Sequence, residues 1–146
     1  MPGVEAIGGA KTIAIVGLSR DSAKYSNEVA RYLQSVGKRI VPVNPSAAGE
    51  EILGEKCFAS ISEIEDGIAK EIEIIDVFRK SEETGQIIDE AIENWRKKRL
   101  PKLKVIWLQL GIMNKEGGQK TRKAGIGFVE NRCVEIEHER LAGKGI

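Results

Sequence analysis

Two hydrophobic patterns alternate along the chain. Short, continuous apolar runs rich in β-branched residues are typical of buried strands, and they occupy residues 11–17, 38–45, 71–78, 104–111 and 126–131. Apolar residues with helical spacing occur between these runs, over residues 26–37, 60–67, 81–95 and 114–125. Strands that alternate with helices predict right-handed β-α-β units and one open parallel sheet with helices on both faces.

The order of the strands decides where a ligand would bind. Counting the strands along the chain, we predict the order 3-2-1-4-5, and the order 2-1-3-4-5 is the alternative. Either order puts a crevice at the carboxyl ends of the strands, close to the first strand. The loops that leave the strands, and would line that crevice, are "GLSRDSAKYS", "NPSAAG", "FRKSE", "LGIMN" and "NRC".

Length and charge limit the class of protein. A chain of 146 residues fits a single domain over 1–146, with 1–11 as a leader and 132–146 as a tail. The net charge of +1 favours neither a nucleic-acid nor a membrane partner. The basic run at 96–104 lies between a helix and a strand, so we expect it at the opposite edge of the sheet from the crevice.

The two cysteines, Cys57 and Cys133, have no metal-ligand spacing. Reduced thiols in a cytoplasmic protein are the simplest interpretation. We expect Cys133 to be buried and inert. His138 is the only histidine, stands among glutamates and is expected on the surface. No catalytic or metal-binding set is therefore predicted.

The loop after the first strand has the composition of a phosphate site. It follows Gly17, carries the cations Arg20 and Lys24, and leads into a helix, whose first N–H groups attract anions. Its hydroxyl donors are Ser19, Tyr25 and Ser26. The loop matches neither GxGxxG nor the P-loop pattern. A solvated loop with a helix cap is the alternative.

The ends of the second and third strands add further candidates. The second strand ends in Asn44, where dinucleotide-binding domains usually have a carboxylate for the adenosine ribose. An amide tolerates a nearby phosphate better, although Asn44-Pro45 could simply form a turn. After the third strand, Phe78 offers an apolar surface and Arg79 a guanidinium for phosphate. A core phenylalanine beside a surface arginine is the alternative.

Taken together, "PVNP", "VFR", "WLQLGI" and "RCVEIEH" resemble the small single-domain CoA-binding proteins. The chain also resembles the Rossmann-like CoA-binding domain of succinyl-CoA synthetase α subunits, over most of residues 12–141. This resemblance implies a Rossmann-like sheet, an open CoA site and no established catalytic residues. Many relatives carry a lysine after "PVNP", where this chain has Ser46.

The resemblance also assigns parts of the ligand to parts of the chain. The diphosphate would lie on the loop between residues 17 and 26, the adenosine by the end of the second strand, and the pantetheine arm along the third and fourth strand ends. The candidate ligand-binding residues are Gly17, Leu18, Ser19, Arg20, Lys24, Tyr25, Ser26, Val43, Asn44, Pro45, Val77, Phe78, Arg79, Leu110 and Gly111.

We therefore expect a protein that binds CoA or a short acyl-CoA and has no catalytic activity of its own. An NAD(P)-dependent oxidoreductase is one alternative. The CoA-binding component of a CoA ligase or transferase is another. The sequence leaves open whether the protein is a monomer or a homodimer.

Overall fold

The apolar runs form a parallel sheet, as their pattern predicts. The computed structural model describes residues 3–143 of the chain. Its strands, in chain order, are β1 Thr12–Val16, β2 Arg39–Val43, β3 Glu51–Ile52, β4 Glu55–Lys56, β5 Ile74–Val77, β6 Val105–Leu108 and β7 Gly127–Val129. Five of them form one sheet in the order β2-β1-β5-β6-β7, with every pairing parallel. The antiparallel pair β3 and β4 forms a separate hairpin.

Helices cover both faces of this sheet. They are α1 Ala6–Gly9, α2 Tyr25–Ser35, α3 Asp66–Ala69, α4 Thr84–Arg96, α5 Lys115–Ala124 and α6 Val134–Ala142. The predicted helices at 26–37, 81–95 and 114–125 are confirmed, with shifted ends. The predicted helix at 60–67 is wrong as a single helix, because Ile61–Glu63 form a 3₁₀ turn and α3 begins only at Asp66. The sequence pattern did not indicate α1 or the β3–β4 hairpin, and it left the form of α6 undecided.

The predicted strand order 3-2-1-4-5 is wrong, and the alternative 2-1-3-4-5 is the observed one. The outer edge of β2 is already occupied by the segment around Phe58. The Phe58 N–H donates to the Pro42 carbonyl at 3.0 Å, and the Asn44 N–H donates to the Phe58 carbonyl at 2.9 Å. Because no third strand can pair there, the chain crosses over and β5 pairs with the other edge of β1.

Two apolar cores fill the space between the sheet and its helices. One contains Ile13, Ile15 and α2, together with the leader and tail, whose Ile7 and Val134 are fully buried. The other contains alternate strand residues and the inward face of α4. Residues of the leader and the tail thus belong to the core of the domain. Within residues 3–143, no helix is long and apolar enough to cross a membrane.

The expectation that His138 lies on the surface is wrong. Its side chain is buried between α6 and α2, where Nδ1 lies 2.6 Å from the hydroxyl oxygen of Tyr32. Burial lowers the pKa of His138, and nearby Lys38 lowers it further. The neighbouring Glu137 is also buried and pairs with Arg132 and Arg140, so charged residues in this segment did not indicate an exposed surface.

Glycines near the start of α5 allow that helix to lie close to its neighbours. A Cβ on Gly117 would be 2.5 Å from Ile88 Cδ1 of α4, and one on Gly118 would be 2.7 Å from the Phe128 ring of β7. Both distances are too short for real contacts. Glycine lowers the stability of a helix, but at these two positions it allows α5 to pack closely against α4 and β7.

We predict that Gly117→Ala destabilises the protein although alanine is the better helix former. Overpacking against buried Ile88 should lower the free energy of unfolding by about 1–3 kcal/mol, partly offset by helix propensity. The matched control is Gly67→Ala in α3, where a Cβ meets nothing within 4 Å. Urea denaturation should show a loss for the first variant and none for the second. Equal stability of the two variants would contradict the packing argument.

Candidate ligand site at the carboxyl edge of the sheet

The backbone after β1 passes close to the backbone after β5, where the two strands end side by side. Gly17 has a φ of +90°, and its N–H donates to the Val43 carbonyl at 2.7 Å. A Cβ on Gly17 would lie 2.6 Å from the Phe78 carbonyl oxygen. Both the positive φ and this contact require glycine, so a single glycine lets the loop pass over the end of β5.

The loop after Gly17 is held in shape by its own polar groups. The Ser19 N–H donates to Ser26 Oγ at 3.0 Å, and the Asp21 N–H donates to Ser19 Oγ at 3.1 Å. Asn27 Nδ2 donates to the Ser19 carbonyl at 2.9 Å. Two of the predicted hydroxyl groups, those of Ser19 and Ser26, therefore accept hydrogen bonds that fix the loop.

The first turn of α2 remains open to an anion. Lys24 precedes the helix and provides no side-chain cap. In the described part of the chain, the N–H groups of Tyr25 and Ser26 have no acceptor. These groups lie at the positive end of the helix dipole, so a negatively charged ligand is favoured there.

A two-part cleft opens along this edge. The part over the α2 start has a volume of about 420 Å³ and is lined by Gly17, Ser19, Lys24, Tyr25, Ser26, Phe78 and Arg79. The part over β2 has a volume of about 250 Å³ and is lined by Val16, Gly17, Val43, Pro45, Ala59, Ser60, Ile61, Arg79, Glu83, Gln86, Ile87 and Glu90. Gly17 and Arg79 line both parts and therefore mark their junction.

Arg79 is the cation at that junction. Its guanidinium pairs with Glu83 at 3.2 Å, and both side chains are about two-fifths exposed, at 40% and 42%. An ion pair this exposed contributes little to stability. A phosphate can therefore take over the guanidinium at small cost, and arginine suits the shape of a phosphate group.

Several predicted residues do not line either part of the cleft. Leu18 and Val77 are fully buried, and Arg20 forms an ion pair with Glu50 at 2.7 Å. Leu110 and Gly111 lie on the exposed loop after β6.

Asn44 also has a structural role. Its Nδ2 donates to the Leu18 carbonyl at 3.0 Å, and its Oδ1 accepts the Ser46 N–H at 3.0 Å. It thereby ties the end of β2 to the loop after β1. The turn at Asn44-Pro45 and the shape of the cleft depend on the same side chain.

Sequence reasoning missed the wall that α4 contributes to the cleft. Gln86, Ile87 and Glu90 line its smaller part. They share one face of α4 at i, i+1 and i+4. This helix is the first long helix after β5, whose end the sequence already predicted to be part of the site. That spacing could have identified them. Ala59, Ser60 and Ile61 could not be found this way, because they precede or begin a short 3₁₀ turn where the sequence predicted a helix, not a strand end.

A polar pair lies in the middle of the sheet, beneath the larger part of the cleft. Asp76 of β5 is fully buried, and Gln109 Nε2 donates to its Oδ1 at 2.7 Å. The other two oxygens, Asp76 Oδ2 and Gln109 Oε1, have no partner among the described residues. Burial raises the pKa of Asp76 to about 8, although the Gln109 hydrogen bond acts in the opposite direction. The carboxyl group is therefore mostly neutral at pH 7.

Tyr25 covers a buried thiol beside this pair. Its hydroxyl donates to Cys133 Sγ, and its ring packs edge-on against Phe78 with 5.9 Å between ring centroids. Cys133 is buried, as expected, and is the N-cap residue of α6. Both cysteines are unbridged. Burial and the Cys133 contact raise the pKa of Tyr25, so its hydroxyl remains protonated near neutral pH.

These features define an open parallel α/β domain of the Rossmann-like class, with an anion-favouring cleft at its strand ends. Residues 11–139 match the family model described as CoA binding domain. The chain belongs to this CoA binding domain family.

Relatives and solved structures agree with this assignment. YneT of Bacillus subtilis is 34% identical over 128 residues, which cover 88% of this chain and 85% of YneT. A hypothetical protein from Pyrococcus horikoshii OT3 has the same fold, with a TM-score of 0.81, 37% identity, and coverage of 95% of this chain and 89% of that one. The ADP-forming acetate–CoA ligase of Methanocaldococcus jannaschii is 34% identical over 58 residues, which are 40% of this chain and 8% of the ligase.

We predict that Gly17→Ala destabilises the protein more than the same change at Gly37. The φ values are +90° and +86°, but a Cβ at Gly37 meets nothing within 4 Å. Both variants should lose about 1–2 kcal/mol from the left-handed conformation. Gly17→Ala should lose about 1–3 kcal/mol more from the clash with the Phe78 carbonyl. Thermal or urea denaturation measures the difference, and equal losses would refute the close approach.

We also predict that Asp76→Asn removes a pH dependence of stability. The ordinary carboxyl pKa is 3.8, and in the folded state it is about 8. Between these values the folded state binds the extra proton, so the free energy of unfolding of the wild type falls as pH rises. The variant lacks this loss. Its stability relative to wild type should therefore increase across this window, by up to about 1.4 kcal/mol per pH unit.

Urea denaturation at about pH 5, 6 and 7 gives the slope. Glu73→Gln is a useful comparison. Burial is the largest single influence on Glu73 and acts to raise its pKa, but the hydrogen bonds from Lys11, Lys104 and Thr12 and the charge of Lys104 together hold the pKa below its usual value, so its linkage has the opposite sign. Parallel stability curves for wild type and Asp76→Asn would show that the buried carboxyl is ionised in the folded protein.

Proposed function

We propose that this protein binds CoA or a short acyl-CoA at the carboxyl edge of its sheet. The observation that carries the proposal is the junction at Gly17 and Arg79, where an uncapped helix start and a guanidinium meet in one cleft. A diphosphate carries enough negative charge to use both. Membership of the CoA binding domain family supports this ligand.

The two parts of the cleft suit the two ends of such a ligand. The smaller part, with Val43, Pro45 and Ile87, offers apolar walls for an adenosine. The larger part, with Phe78 and Tyr25, offers an aromatic surface for the pantetheine arm. The diphosphate between them would lie over Gly17, and Arg79 would leave Glu83 to pair with it.

Binding without turnover fits the lining of the cleft. Among the described residues, neither part is lined by a histidine or a cysteine that could act as a general base or nucleophile. A second candidate function is the CoA-binding component of a larger ligase. The local similarity to the acetate–CoA ligase favours that candidate, and a partner protein would then supply the chemistry.

Titration calorimetry in reducing buffer tests the ligand. CoA should bind more tightly than NAD, because Asn44 is engaged with Leu18 and Ser46 and supplies no carboxylate for the NAD ribose. NADP and dephospho-CoA show how much a ribose phosphate contributes. Tighter binding of NAD or NADP than of CoA would refute the proposal and favour an oxidoreductase.

We predict that Arg79→Ala weakens CoA binding by about 10- to 150-fold, the loss expected for one charge-assisted hydrogen bond of about 1.5–3 kcal/mol. The matched control is Lys97→Ala. Lys97 forms an ion pair with Glu93 at the other end of α4, with the same i, i+4 spacing and with side chains that are more exposed, at 64% and 57%. That variant should keep wild-type affinity. Equal affinities for the two variants would remove Arg79 from the site.

A further inference from the structure

The buried thiol of Cys133 lies behind Tyr25, which lines the larger part of the cleft. The Tyr25 ring lines the cleft, and its hydroxyl contacts Cys133 Sγ. Tyr25 is 41% exposed, so solvent already reaches one side of the ring. An outward swing of this one side chain would break a single hydrogen bond to protein and open the thiol to whatever occupies the cleft.

The unpartnered oxygens of Asp76 and Gln109 lie on the same side of the sheet as this thiol. Asp76 is level with Trp107 of β6, whose indole N–H donates to the Arg132 carbonyl, next to Cys133. Phe78 follows Asp76 by two positions and therefore stands above it on the same face. The Asp76 carboxyl is also near enough to Tyr25 to raise the pKa of its hydroxyl. Asp76 and Cys133 thus both lie in the neighbourhood of Tyr25.

The hydrogen-bonding needs of the pair identify the chemical group that would satisfy it. With Oδ1 accepting from Gln109, a neutral Asp76 has one O–H, on Oδ2, with no acceptor. Gln109 Oε1 has no donor. A secondary amide supplies both, because its carbonyl accepts from the carboxyl and its N–H donates to the glutamine. Buried polar atoms without partners are costly, so such a ligand would be favoured.

We propose that Cys133 is a thiol–disulfide exchange site for the sulfur end of a CoA disulfide bound in the cleft. This inference rests on the proposed function. The pantetheine arm has secondary amides and ends in sulfur. With its diphosphate at the α2 start, the arm displaces Tyr25, pairs an amide with Asp76 and Gln109, and brings its sulfur to Cys133.

The exchange step is balanced without any further oxidant. The Cys133 thiolate, having released its proton to solvent, attacks the nearer sulfur of the CoA disulfide. The bond between the two ligand sulfurs breaks as the Cys133–S–S–CoA bond forms, and the second CoA leaves as a thiolate that takes up a proton. The N-terminal end of α6 favours negative charge at Cys133. Reduced thiols reverse the step.

The test compares CoA disulfide with oxidised glutathione, which has the same reactive bond and amides but no nucleotide. The reduced full-length protein is treated with each at equal concentration, and adducts are followed by intact mass and located by peptide mapping. We expect the adduct on Cys133 to form at least about tenfold faster with CoA disulfide, an advantage of at least 1.4 kcal/mol in the barrier. Excess adenosine 3′,5′-diphosphate should remove that advantage.

Cys57 is the internal control, because its thiol is fully buried and donates to the Asn44 carbonyl. Cys57 should remain unmodified in the folded protein, and Cys133→Ser should form no adduct. Since the peptide map of the wild type separates the two cysteines, the test does not depend on that variant folding. Modification of Cys57, equal rates with both disulfides, or no adduct would each overturn the inference.

Two variants test the positioning role of the buried pair. Asp76→Asn keeps an N–H donor where the neutral carboxyl has its O–H, so the preference for CoA disulfide should persist. Gln109→Leu removes the acceptor for the amide N–H of a pantetheine arm that the bound nucleotide holds in place. The preference should fall several-fold, while the rate with oxidised glutathione, whose amides no nucleotide holds beside the pair, stays the same. Equal losses with both disulfides would indicate a merely structural role and overturn the assignment of the pair.

Calorimetry with reduced CoA separates this inference from the proposed function. If CoA binds in reducing buffer and no selective adduct forms, the exchange site is refuted and the binding function stands. If CoA does not bind and no selective adduct forms, both are refuted. A selective adduct on Cys133 supports the exchange site.

Discussion

The contact on which the rest of the candidate site depends is the passage of Gly17 across the end of β5. The Phe78 carbonyl lies where any side chain at position 17 would begin. The Phe78 N–H in turn donates to the Val16 carbonyl at 2.8 Å, so β1 and β5 stay hydrogen-bonded to each other up to the point where Gly17 crosses. A loop that leaves β1 at this height must turn directly into α2. That turn brings the uncapped start of the helix over the strand ends.

Arg79 follows from the same crossing. It is the second residue after β5, and its Cδ would lie 2.9 Å from a Cβ on Gly17. The arginine stem therefore packs against the glycine, while the guanidinium extends to Glu83. One backbone contact thus places an anion-favouring helix end and a cation on either side of the same point. For this reason one glycine suffices where dinucleotide-binding loops use three.

The sequence predicted those features whose causes are local. Apolar runs and helical periodicity identified the five sheet strands and the main helices, and Gly17 with Arg79 stood out because strand ends in parallel sheets meet at one edge. The strand order could not be predicted this way. It is decided by Phe58, which occupies the free edge of β2 from fifteen residues further along the chain. The pairing of His138 with Tyr32 is also non-local, so its glutamate neighbours pointed to the wrong environment.

Asp76 is the position where the sequence departs most from what stability alone would favour. Its neighbours across the sheet are Ile15 and Trp107, and apolar residues at both 76 and 109 would leave no buried polar atom without a partner there. Burial of the carboxyl opposes its ionisation and makes the fold less stable as pH rises. Buried polar atoms without hydrogen-bond partners are expected mainly at functional sites, where a ligand can supply the missing partners. Because Asp76 and Gln109 lie beneath the aromatic pair that borders the cleft, a ligand entering there has the most to gain by reaching them.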